Sequence, residues 1–167
     1  MWDAVLTTLR EEFVDLTDAA QLTRSTVRLL VAVLMASLIG LERERHGSAA
    51  GLRTHMLVAL GVALIIVAAE QSGAGASELS RVLQGVLAGI GFLGAGAIIK
   101  QSEQAHVKGL TTAASIWTTA AIASAAGLGH VITAMLATLL ALVILRVLLR
   151  LEHRSDGAKR SDIGDDA

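Results

Sequence analysis

Five apolar blocks, roughly 26–41, 52–69, 82–99, 110–127 and 131–149, divide this 167-residue chain and leave most of its charges outside them. Each approaches the ~17–25 residues a helix needs to cross the hydrocarbon of a bilayer. A soluble helical bundle would show a polar stripe along each block, and these blocks have none. With 53% hydrophobic residues and a mean hydropathy of +0.62, composition agrees with the pattern. The expected fold is an all-α integral membrane protein, five transmembrane helices preceded by an amphipathic N-terminal helix.

The absence of Cys excludes a disulfide framework and a thiolate metal site. The absence of Pro leaves only Gly to interrupt a helix. Residues 1–23 carry Asp3, Glu11, Glu12, Asp15 and Asp18 instead of the basic start of a cleavable signal peptide. Within them Trp2, Val5, Leu6, Leu9, Phe13 and Leu16 recur at helical spacing opposite a mainly acidic face. Cytoplasmic surface helices are usually basic, so this helix is expected on the outer face or against the bundle. Residues 24–150 form the transmembrane domain, and 151–167 are expected to be a disordered cytoplasmic tail.

Orientation follows from Lys and Arg in short loops. With the N-terminus outside, the cytoplasmic segments hold Arg43, Arg45, Arg53, Lys100, Lys108, Arg146, Arg150, Arg154, Lys159 and Arg160. The outer segments then hold only Arg10, Arg24, Arg28 and Arg81. The N-terminus is therefore expected outside and the C-terminus in the cytoplasm.

The hairpin Glu42-Arg43-Glu44-Arg45, followed by Gly51-Leu52-Arg53-Thr54-His55, concentrates polar chemistry at the membrane boundary. Glu42 directly follows an apolar run, where an unpaired carboxylate is costly. Arg45, Arg53 and Lys100 are its expected partners in an ion-pair network. Arg28 and Arg146 are expected to snorkel to opposite interfaces, and His55 to be a hydrogen-bonded structural residue. The hydroxyl-rich block Leu110–Thr119 suits a central helix, the most protein-buried of the five.

Gly89-Ile90-Gly91-Phe92-Leu93-Gly94 fits a dinucleotide-binding pattern, but it lies inside an apolar block with no strand before it. Helix packing explains it better: Gly85, Gly89, Gly91, Gly94 and Gly96 form a small-residue strip along which helices can approach closely, within the chain or in a homo-oligomer. An offset of 58 residues superposes Gly51-Leu52-Arg53-Thr54 on Gly109-Leu110-Thr111-Thr112, a faint parallel repeat. No carboxylate lies mid-membrane, which counts against a deep acidic cation site. No nucleophile or metal-ligand spacing suggests an enzyme, and nothing suggests a nucleic-acid partner.

The runs Arg28-Leu29-Leu30 to Ile39-Gly40-Leu41-Glu42-Arg43-Glu44, Gly51–His55, Gly89–Gly96 and Gly109–Trp117 together resemble the MgtC/SapB family of bacterial membrane proteins. The resemblance implies a five-helix inner-membrane domain linked to growth in low magnesium and, in pathogens, to survival inside macrophages. It also implies a short form, without the C-terminal ACT-like domain of longer members. Members look more like accessory or regulatory proteins, acting on other membrane proteins such as ion pumps or ATPases, than like transporters of Mg²⁺ or another small solute. No cofactor is implied, Mg²⁺ being the one candidate ligand or cargo. Some relatives have Asn at the position of Thr111. The candidate polar cluster is thus Glu42, Arg43, Arg53, His55, Lys100, Thr111 and Thr112.

Overall fold

The computed structural model describes residues 1–12, 18–99 and 109–162, and every regular element among them is a helix. A short helix α1 (Trp2–Glu12) precedes α2 (Ala19–Arg45), α3 (Leu52–Gln71), α4 (Ala76–Ile99), α5 (Leu110–Gly127) and α6 (Val131–Asp162). Three of them, α2, α3 and α4, are long and apolar enough to cross a membrane; Val131–Val147 adds a shorter apolar stretch in α6.

Polar residues placed at the ends set the helix limits. Asp18 caps α2 by accepting from the backbone N–H groups of Ala20 and Gln21, each at 3.0 Å. At its other end α2 carries Arg43 and Arg45, cations that suit a helix C-terminus. The N-cap of α3 is Gly51, which has no side chain to offer. Glu44 reaches across the turn instead and accepts from Leu52 N–H at 2.8 Å. Gly75 N–H donates to Glu78 at 2.6 Å where α4 begins.

The interior inverts the pattern of a soluble protein. Ala32 and Ala36 of α2, Ala59 and Ala63 of α3, and Ala120, Ala123 and Ala126 of α5 fill the core. The large aliphatics point outward, Leu57 at 69% exposure and Leu140 at 62% among them. Small residues inside and leucines outside are the arrangement expected when lipid, not water, surrounds the bundle.

Close approach of α3 to its neighbours α2 and α5 is set at two glycines. A Cβ on Gly40 would lie 2.7 Å from Leu52 Cα, and one on Gly127 would lie 3.2 Å from Ala63 Cα. These positions bring α2 against α3 and α3 against α5. Of the strip Gly85, Gly89, Gly91, Gly94 and Gly96, only Gly94 has a neighbour, Ala113 Cβ at 3.6 Å; the other four face open space. Their partner does not lie among the described residues.

Helix α5 sits at the centre and packs on α2, α3, α4 and α6. Among the described residues α1 packs on no other helix, and Trp2, Val5, Leu6 and Leu9 are all exposed. Phe13 and Leu16, expected on the same face, lie outside the described residues. α6 continues to Asp162, so residues 151–162 are helical where a disordered tail was expected. The chain offers no Pro to stop α6, and Gly157 costs a helix only about 1 kcal/mol.

At the end where α2 starts, Arg28 does more than snorkel. Its guanidinium pairs with Glu70 of α3 and donates to the Gly127 carbonyl at the end of α5, at 3.0 Å. One side chain thus ties three helices together.

Candidate functional site

At the opposite end α2 delivers two adjacent charged residues into protein rather than solvent. Glu42 is 4% exposed and Arg43 is 8% exposed. Glu42 is held from a helix remote in sequence: Arg146 Nε of α6 donates to its Oε2 at 3.1 Å. His46, one turn on, brings Nδ1 to 2.7 Å from the Glu42 carbonyl and to 3.4 Å from Oε1. That second approach is not a hydrogen bond, so Oε1 has no hydrogen-bond partner among the described residues.

The partners therefore differ from those the hairpin suggested. Neither Arg45 nor Arg53 pairs with Glu42; both are exposed at the ends of α2 and α3. Lys100 lies outside the described residues. Arg146, expected to snorkel, is more than half exposed yet turns its Nε inward. Arg43 has no ion-pair partner among the described residues, and its buried Nε has no hydrogen bond.

A second polar layer lies beside this pair. Ser48, in the turn between α2 and α3, meets Thr112 Oγ1 of α5 at 2.9 Å. His55 is wholly buried, with Nδ1 2.8 Å from the Gly51 carbonyl and Nε2 3.2 Å from Ser115 Oγ. A carbonyl only accepts, so Nδ1 carries a proton. The single hydroxyl proton of Ser115 has two acceptors within reach, His55 Nε2 and the Thr112 carbonyl at 2.8 Å. Thr119, one turn further on the same face of α5, is buried, and its hydroxyl has no hydrogen-bond partner among the described residues. Ser115 and Thr119 were not in the sequence-based cluster. The signal for them was the spacing 112, 115, 119 on one helical face.

Thr111 is exposed and lines a groove of about 320 Å³ between α2, α5 and α6, with Ile39, Ser115, Thr118 and Leu140. The groove reaches Ile144 and Leu145, directly before Arg146. Thr111 and Ser115 thus open towards it, while Thr112 and His55 face the α2–α3 side.

This donor set does not fit a resident Mg²⁺. That ion wants near-octahedral oxygen ligands, and Glu42 stands between two guanidinium-bearing residues, already held by one of them. Among the described residues no group of three or more His, Asp or Glu side chains comes together.

The chain resembles several bacterial proteins. It is 43% identical to the protein SrpB of Synechococcus elongatus over 137 residues, 75% of each chain. It is 36% identical over 135 residues to YhiD of Escherichia coli K12, named as a candidate magnesium transporter, covering 77% of this chain and 62% of that one. It is 40% identical over 124 residues to MgtC of Salmonella typhimurium LT2, covering 74% of this chain and 52% of that one. The chain thus spans about three fifths and about half of the length of the last two. No solved structure matches it. The sequence profile of the MgtC family matches residues 29–154, from α2 into α6 and across the whole Glu42–Arg146 layer, so this helical membrane protein belongs to the MgtC family.

Proposed function

We propose that the protein is an accessory or regulatory protein of magnesium homeostasis in the bacterial cytoplasmic membrane, acting on other membrane proteins rather than carrying the ion. The observation that supports this most is the setting of Glu42. The one buried carboxylate among the described residues is engaged by Arg146 and adjoins buried Arg43. Such a site repels a divalent cation and suits a structural lock whose state a partner could sense. In this reading α5 and α6 also span the bilayer, giving five spans with the N-terminus outside and the Glu42 layer at the cytoplasmic face. α1 then lies along the outer interface with Trp2, Val5, Leu6 and Leu9 in lipid. The partner would be another membrane protein, such as an ion pump or ATPase.

Transport is the second reading, favoured by the buried column His55, Ser115 and Thr119 and by the name given to YhiD. The deciding experiment is Mg²⁺ flux into proteoliposomes, wild type beside Glu42→Gln. The expected result is no uptake by either correctly inserted protein. Uptake that disappears with Glu42→Gln would overturn the regulatory reading and make the Glu42 layer a gate.

A further inference from the structure

α3 and α4 follow one another through a turn of four residues, yet they diverge and leave a groove of about 540 Å³ between them. Its walls are aliphatic, Val58 and Val62 from α3 facing Val86 and Leu93 from α4. Gly61, Gly85 and Gly89 also line it, and a Cβ built on any of the three meets nothing within 4 Å. Packing inside this chain therefore does not explain these glycines; their effect is to keep the groove deep. The groove runs from Arg81 to Leu93, about 18 Å of helix. That is close to one leaflet, half of a hydrocarbon core about 30 Å thick.

Arg81 lines the end of the groove near the start of α4. It is exposed, and no carboxylate pairs with it among the described residues. Spacing places Arg81, Gly85 and Gly89 on one face of α4. This register decides between occupants. A second copy packed through the glycine strip about a two-fold axis would bring Arg81 against Arg81, like charges facing each other with no carboxylate among the described residues to pair them. A lipid with an anionic headgroup supplies the opposite charge, and guanidinium binds phosphate through paired N–H donors.

We propose that the α3–α4 groove binds one anionic glycerophospholipid. An acyl chain lies along Gly61, Gly85 and Gly89, and the phosphate rests on Arg81. The proposal needs only that α3 and α4 cross the bilayer, and it stands whether the protein regulates or transports.

The test uses the full chain in nanodiscs, with bound lipid counted by native mass spectrometry against phosphatidylglycerol and phosphatidylcholine. Wild type should retain phosphatidylglycerol preferentially. Arg81→Gln should cut that preference about fivefold, the equivalent of the ~1 kcal/mol given by one arginine near an anionic surface. Gly89→Leu should fold, because its side chain enters open space, and should lose the retained lipid of either headgroup; Gly85→Leu provides the same test at the next turn. Equal retention of the two lipids by wild type, or full retention by a folded Gly89→Leu, would overturn the proposal. A wild-type dimer that becomes monomeric in Gly89→Leu would do the same and assign the groove to a second copy.

Discussion

Glu42 and Arg146 depend on each other unequally. Glu42 is almost wholly buried, while the side chain of Arg146 is more than half exposed. Removing Arg146 strands a carboxylate in protein, whereas removing the charge of Glu42 releases an arginine that can turn to water. Breaking a buried pair costs about 3–5 kcal/mol. With one partner largely solvated and screened, Arg146→Ala should cost about 1–2 kcal/mol. Adding Glu42→Gln should recover part of that loss, read as the unfolding temperature in detergent; a double variant less stable than Arg146→Ala would refute the asymmetry. Ser115→Ala should cost about 1–3 kcal/mol in the same assay, because it leaves the buried Nε2 of His55 with no partner. The burial of Glu42 could be read from the chain, since a charge directly after an apolar run must be accommodated. Its partner could not, because Arg146 is 104 residues away and nothing local marks which of fourteen cations turns inward.

Helix contacts are decided by glycines that the sequence does not flag. Glycine spacing draws attention to α4, where five occur at short intervals, but it is at Gly40 and Gly127 that missing side chains let α3 meet the backbones of α2 and α5. Recurrence within one helix is visible in a sequence; the identity of the facing helix is not. Gly40→Ala would put a methyl group 2.7 Å from Leu52 Cα and should destabilise the fold by about 1–3 kcal/mol. Gly91→Ala, in open space within a helix, should be neutral or stabilising by up to about 1 kcal/mol. Thermal unfolding of the two variants side by side checks the pair, and equal losses would show that α4 packs where the structure leaves it open. The place of α5 was easier to read. Its hydroxyls, Thr112, Ser115 and Thr119 above all, are poorly suited to lipid, and they occupy the interior of the bundle.

The whole bundle is fastened by charge at both ends, Arg28 with Glu70 at one and Arg146 with Glu42 at the other. The two fastenings share no residue, so Glu70→Gln and Glu42→Gln should add in their effects on stability within about 0.5 kcal/mol. A double variant departing from the sum would reveal coupling through α2, which carries one member of each pair. The helical class and the order of the helices followed from block lengths alone, because the thickness of a bilayer fixes how long an apolar helix must be. The helical course of residues 151–162 did not, since polar composition does not distinguish a tail from the continuation of a helix already nucleated. That continuation has a mechanical consequence. At 1.5 Å per residue α6 is about 48 Å long, well beyond the ~30 Å of hydrocarbon, and Arg146 sits near its midpoint. With α6 spanning the bilayer as proposed, a tilt of its projecting half shifts Arg146 against Glu42, so motion outside the membrane reaches a buried carboxylate.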